Sequence, residues 1–269
     1  MRSLLRTALL VVALATAAGA HAATVQLEDM SWTELRDRIA AGSTTALLPI
    51  GGTEQNGPHM LLGKHNVRVL ALALRIAERL GNAVVAPVVA YVPEGNIEPP
   101  TQHMRYAGTI SIPVAAFEAT LEGAARSLRR HGLHDIVFLG DHGGYRASLD
   151  RVAAKLNREW AGVRPAVRVN ALPEYYRAAQ DEFAAALEAR GFARDEIGLH
   201  AGLADTSMML ALDPTQVRMD VAAARPKGSA GDGVTGDPRR ATAEMGRPAV
   251  ERIVEVSVAA IRERAGARP

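Results

Sequence analysis

The chain has 269 residues, of which 48% are hydrophobic and 22% charged, so it is long enough to bury a sizeable core and is neither disordered nor fibrous. Its formal charge is +2, but Arg2 and Arg6 lie in a 22-residue opening that holds no acid, and the remainder is balanced at 29 basic and 29 acidic residues. That balance leaves no electrostatic footprint for nucleic acid or an anionic membrane, and the absence of cysteine excludes disulfides, thiolate nucleophiles and iron–sulfur clusters.

Residues 1–22 read as a secretory signal peptide: Arg2 and Arg6, an apolar run from Ala8 to Ala18, then Ala20-His21-Ala22 at the cleavage positions. A membrane anchor is the alternative, but the run is shorter than the ~20 residues that span a bilayer. An exported, periplasmic protein is therefore expected, free of the membrane after cleavage, with residues 23–269 forming a single domain.

Thr45 to Ile50 reads as a buried strand that ends in Gly51-Gly52. Apolar residues at helical spacing predict a helix from Val67 to Leu80, closed by Gly81. Ala83 to Val92 is strand-like, although Pro87 interrupts it. A helix over 114–130 precedes the clearest strand, Asp135 to Leu139. Helices over 147–160, 175–190 and 240–265 follow, with an extended stretch at 166–170. This alternation predicts an α/β fold with a mainly parallel sheet flanked by helices, whose ligands sit beyond the carboxyl ends of the strands.

Five of the eight histidines, His59, His65, His103, His142 and His200, lie in Gly- or Pro-bearing segments outside the strands. Two such segments directly follow strands. Gly51-Gly52-Thr53-Glu54-Gln55-Asn56-Gly57-Pro58-His59, continuing to Lys64-His65, comes after Ile50, and Gly140-Asp141-His142-Gly143-Gly144-Tyr145 comes after Leu139. Glycines let the backbone turn sharply and bring a carboxylate and an imidazole to one point. Without thiols, a hydrolytic metal site needs about three N/O ligands and an open position, and Glu54, His65 and His142 supply a His₂Glu set. Ordinary capping and turn roles are the alternative for each of these residues.

A third segment runs from His200 through Asp205 to Leu210. A helix from about Ala201 would bury its Met-Met-Leu run and point His200 and Asp205 at the same cleft. The chain holds no G-x-S-x-G elbow, H-E-x-x-H or P-loop. The glycine-rich stretch 228–237 reads as a mobile loop, a lid or a subunit contact.

These segments resemble the creatininase (creatinine amidohydrolase) family. The resemblance runs from about Ala46 to Gly246 and rests on Leu48-Pro49-Ile50-Gly51-Gly52-Thr53-Glu54-Gln55 with Gly57-Pro58-His59, Gly108-Thr109-Ile110-Ser111, Gly140-Asp141-His142-Gly143-Gly144, His200-Ala201-Gly202 with Thr206-Ser207-Met208-Met209-Leu210, and Gly236-Asp237-Pro238. It implies a parallel α/β fold, a divalent-metal site, hydrolysis of a cyclic or linear amide, and a homo-oligomer, often a hexamer. By resemblance Glu54 and His142 are metal ligands and His200 is the catalytic histidine. Asn56 replaces a family histidine, His65 an aspartate, Gly144 a glutamate, and Asp205 a glutamate.

These departures strip the usual second-metal position, so one ion is expected, zinc with manganese or iron as alternatives, held by Glu54, His65 and His142. The expected activity is metal-dependent hydrolysis of a C–N amide-type bond in a small molecule. His200 would serve as general acid/base, Asp205 or Asp141 would orient it or the water, and His103, Tyr106 and Tyr145 would line the substrate pocket. A non-catalytic exported protein on a degenerate scaffold, or a formamide or peptide hydrolase, are the alternatives.

Overall fold

The computed structural model describes residues 24–266, so the expected signal segment lies outside the described residues. Its four strands, β1 (Thr45–Ile50), β2 (Ala83–Val85), β3 (Asp135–Gly140) and β4 (Arg168–Ala171), form one parallel sheet in the order β2-β1-β3-β4. The helices are α1 (Trp32–Ala40), α2 (Lys64–Leu80), α3 (Val114–Arg130), α4 (Arg146–Glu159), α5 (Pro173–Arg177), α6 (Phe183–Ala189), α7 (Arg194–Ile197), α8 (Leu203–Leu212), α9 (Met219–Ala224) and α10 (Ala243–Gly266). No helix among the described residues is long and apolar enough to cross a membrane.

All six residues of β1 and of β3 are buried, as expected for strands covered on both faces. Alternate side chains feed two cores. Leu47, Val137 and Leu139 join α2, α5, α6 and α10 on one face. Ala46, Leu48, Ile50, Ile136 and Phe138 pack with α3 and α4 on the other.

Three elements differ from the sequence reading. Only Ala83–Val85 pairs as a strand in the 83–92 stretch, beyond which the chain makes isolated bridges at Val89 and Val92. Pro87 lacks the N–H that a continuing ladder needs. The predicted helix 175–190 contains a wide turn at Ala178–Glu182 between α5 and α6. Helix α2 starts three residues earlier than its apolar spacing indicates, because its opening buries the polar residues Lys64, His65 and Arg68.

Ile50 pairs with Gly140, so β1 and β3 end side by side. The chain leaves β1 through α2 towards β2 on one side, while β3 and β4 lie on the other. The β1–β3 boundary is therefore the switch point at which open parallel sheets bind ligands.

A carboxylate and histidine cluster at the switch point

The loop after β1 delivers Glu54, the loop after β3 delivers Asp141 and His142, and the first two turns of α2 deliver Lys64, His65 and Arg68. The i, i+4 spacing of Lys64 and Arg68 puts both cations on one helix face. Glu54, Lys64, His65, Arg68, Glu94, Asp141 and Asp205 are all buried.

Two fixed cations dominate the interior of this cluster. Arg68 donates through Nε to both carboxylate oxygens of Asp141 (3.1 and 2.9 Å) and through Nη1 to Asp205 Oδ1 at 2.7 Å. Lys64 Nζ donates to Asp205 Oδ2 at 3.0 Å and stands 3.7 Å from Glu54 Oε1. Burial alone would raise both aspartates, but Arg68 beside Asp141, and Lys64 with Arg68 beside Asp205, outweigh it and hold both carboxyls below the usual range.

His65 lies between Glu54 Oε1 (Nε2, 2.7 Å) and Asp141 Oδ2 (Nδ1, 2.5 Å). Both of its nitrogens face carboxylates, so here His65 braces Glu54 instead of joining the Glu54, His103 and His142 grouping as the expected third ligand. Asp141 also accepts from the Tyr175 hydroxyl at 2.7 Å, so it faces the interior rather than the cleft.

His103, His142 and His200 ring the outer side of Glu54. Ligand atoms of Glu54, His103 and His142 lie within 4.8 Å of one another, a grouping that can hold a metal ion. His103 Nε2 and His142 Nε2 stand 3.3 and 3.6 Å from Glu54 Oε2, which nevertheless has no hydrogen-bond partner among the described residues. An oxygen left bare beside imidazoles, with only N and O donors around it, fits a divalent cation.

Hydrogen bonds to groups of fixed polarity set the ring protons. His200 Nε2 donates to the Gln55 carbonyl at 2.9 Å, leaving the lone pair on Nδ1, 3.6 Å from Glu54 Oε1. The Gln55 amide accepts from Gly57 N–H and donates to the Gly233 carbonyl. Its nitrogen thus faces His103 Nδ1 at 3.0 Å, and the His103 proton sits on Nε2. Gly144 N–H donates to His142 Nδ1 at 3.2 Å.

Asp205 accepts from Ala201 N–H at 3.0 Å, fixing a turn in which Ala201 has a φ of 55° and which carries His200. Asn56 donates to the Glu54 and Leu61 carbonyls and braces the loop. At Gly144 a Cβ would lie 2.9 Å from His142 Cε1, so a side chain there would displace the imidazole.

Tyr145 does not line the cleft. Its buried hydroxyl donates to the carbonyls of Ile50 and Gly51 (2.7 and 2.8 Å) and accepts from the N–H groups of Asp141 and His142 (3.1 and 3.0 Å). It therefore sets both loops. Tyr145→Phe would leave buried backbone groups unpaired and is expected to cost about 1–3 kcal/mol, read as a lowered Tm. Tyr106 is half-buried. The glycine-rich stretch is tied down rather than loose: Arg225 holds Asp232 (2.6 Å), Ser229 O and Gly236 O, and Thr235 bridges to His200.

Sequence reasoning passed over Lys64, Arg68 and Glu94. Burial, then the neighbouring Glu54, pushes Glu94 up to about 9. Burial pushes His59 down to about 4, His142 to about 3 and His200 to about 4. The unfolded chain therefore binds more protons at these three histidines below about pH 6.5, the unperturbed imidazole value. Their contribution to stability is full above that pH and is lost as pH falls towards 4. Glu94 acts oppositely, favouring the fold below about pH 4.5 and losing that contribution as pH rises through about 9. The metal-free protein should be most stable near neutrality, and Tm measured from pH 4 to 9 checks this.

A parallel α/β protein with a carboxylate and histidine cluster at its switch point has the architecture of a hydrolytic metal centre. The family model for creatininase, creatinine amidohydrolase, matches residues 28–261, and the chain belongs to that family. It is 30% identical over 196 residues to the creatinine amidohydrolase of Pseudomonas putida, covering 71% of this chain and 73% of that one. It is also 30% identical over 223 residues to the mycofactocin precursor peptide peptidase of Mycolicibacterium smegmatis, covering 74% of this chain and 77% of the relative. A crystal structure of creatinine amidohydrolase superposes with a TM-score of 0.73 at 28% identity, over 90% of this chain and 98% of that one. Creatininase structures similar to this chain include a Zn-Zn form and an Mn form.

Proposed function

We propose that the protein is a metal-dependent amidohydrolase that cleaves a C–N amide bond in a small molecule with one divalent ion per chain. The observation that carries this reading is the placement of Lys64 and Arg68. These side chains neutralise Asp205 and Asp141 from inside the cluster, leaving Glu54, with its unpartnered oxygen beside His142, as the seat for a single cation. Glu54 and His142 would hold the ion, with zinc or manganese the ions that suit such donors. When bound, the ion supplies Lewis-acid polarisation of the substrate carbonyl.

The surrounding residues supply the proton transfers. His200 is neutral at pH 7, because burial and then Lys64 push it down to about 4, and its Nδ1 lone pair can take a proton from the attacking water. The same nitrogen returns that proton to the leaving nitrogen as the C–N bond breaks. His103, with its proton on Nε2, donates a hydrogen bond to the substrate carbonyl oxygen. Asp205 orients His200 through the Ala201 backbone.

Creatinine-like cyclic amides are one substrate class. The likeness to a peptidase favours a second, short peptides, and N-formyl compounds complete the panel. The test is hydrolysis of these three classes by metal-stripped protein and by the same protein reloaded with zinc or manganese. Turnover restored by metal and lost in His200→Ala supports the reading. Absence of turnover in every reloaded sample would favour the non-catalytic scaffold.

We further propose export to the periplasm and homo-oligomeric assembly. The N-terminal mass of the periplasmic protein and its solution mass test these two statements.

A further inference from the structure

Glu94 follows the irregular stretch after β2, and nothing in the catalytic scheme uses it. Its residue is 1% exposed, and neither carboxyl oxygen has a hydrogen-bond donor among the described residues. Ser111 engages only the backbone here, accepting from Glu94 N–H at 3.0 Å and donating to the Gly95 carbonyl at 2.7 Å. Lys64 and Arg68 hydrogen-bond to Asp205 and Asp141, not to Glu94.

The chain is nevertheless shaped around this carboxyl. A Cβ at Gly52 would fall 2.5 Å from Glu94 Oε1, and Gly52 adopts a φ of 150°, in the region that favours glycine. Glu94 Oε2 lies 3.6 Å from His142 Nδ1, the nitrogen that accepts from Gly144 and so carries the ring's lone pair. Glu54 Oε2 lies 3.6 Å from the other nitrogen of the same ring, so the two carboxyls stand on either side of His142. Three carboxylate oxygens without a hydrogen bond thus flank the His142 ring in one buried spot. Such a set of acceptors is stable only around something positive, a shared proton or a cation.

We propose that Glu94 is the third protein ligand of the metal site, taking up the divalent ion together with Glu54 and His142. This deepens the hydrolase reading above and rests on it. It brings the site to the three N/O ligands that a catalytic divalent centre uses. It also assigns His103, which belongs to the same geometric grouping, to the substrate instead of the metal. A second carboxylate makes the site harder, so its loss should weaken manganese binding more than zinc binding.

The experiment uses the full mature chain, stripped of metal, with zinc and manganese affinities measured by equilibrium dialysis for the wild type, Glu94→Gln, Glu94→Asp, His103→Ala and Glu54→Gln. Glutamine keeps the size of the carboxyl, and circular dichroism with Tm confirms the fold. Should Glu94→Gln disturb the fold, Glu94→Asp gives the same reading. The expected result is a fall of at least about tenfold for zinc in Glu94→Gln, a larger fall for manganese, and near wild-type affinity in His103→Ala. Wild-type affinity for both ions in folded Glu94→Gln would overturn the Glu94 assignment while leaving the hydrolase reading intact. An equal fall for both ions, or a loss in His103→Ala matching that in Glu94→Gln, would also overturn it. A wild type that binds neither ion would overturn both readings.

Discussion

Glu54→Gln is expected to abolish tight metal binding and to lower turnover by a factor on the order of 10³. Glu54 is the point at which the two halves of the cluster meet. One oxygen accepts from His65 at 2.7 Å and faces Lys64 at 3.7 Å, while the other faces His103 and His142 without a hydrogen bond. Burial opposes its charge, but His65 and Lys64 outweigh that and keep the carboxyl ionised well below its ordinary range. Glutamine keeps the shape and an acceptor for His65 but removes the charge that a divalent ion requires. Lys64 retains Asp205 at 3.0 Å, so the fold should survive. The signature is loss of bound metal and of turnover with nearly unchanged circular dichroism. A folded variant that still binds metal tightly would remove Glu54 from the site.

Arg68→Met should have the opposite signature, unfolding the protein before its chemistry can be read. The guanidinium is 1% exposed and is the cation shared by Asp141 and Asp205. Its removal strands buried charge, and breaking such a pair costs about 3–5 kcal/mol. Against a typical total stability of about 5–15 kcal/mol, that loss should leave much of the chain unfolded or aggregated at 37 °C. A second substitution should rescue the first in part. Arg68→Met with Asp141→Asn removes one stranded charge and should regain part of the stability in a double-mutant cycle by denaturant titration. Stability equal to the wild type in the single variant would show that Arg68 is not the internal counter-ion described here.

The β1 and β3 strands were legible because each is a short apolar run between turn residues, and the glycines after them marked where chemistry would gather. Glu54, His142 and His200 followed from those loops and from the family resemblance. The residues that set the character of the site did not. Lys64 and Arg68 look like an ordinary polar start to a helix, yet Arg68, Leu72 and Ile76 follow at i, i+4 spacing, and all three are buried. A charge on an apolar helical stripe was the available signal. Glu94 lay in a Pro-Glu-Gly turn with no periodicity, and the three-dimensional path of the 86–95 segment brings it to His142. Chemical type points His65 to the metal, but the structure puts carboxylates at both of its nitrogens, which spacing in sequence cannot show. The sequence reading puts Tyr145 at the substrate, whereas its hydroxyl turns inward to backbone groups of both loops.

One divalent ion per chain is expected, since Lys64 and Arg68 hold the carboxylates that a second would need. The direct measurement is metal content per chain of the mature protein after loading with excess zinc or manganese and removal of unbound ion. One equivalent, with amide hydrolysis rising in proportion to it, is the predicted result. Two equivalents, or turnover that persists in fully stripped protein, would contradict the account.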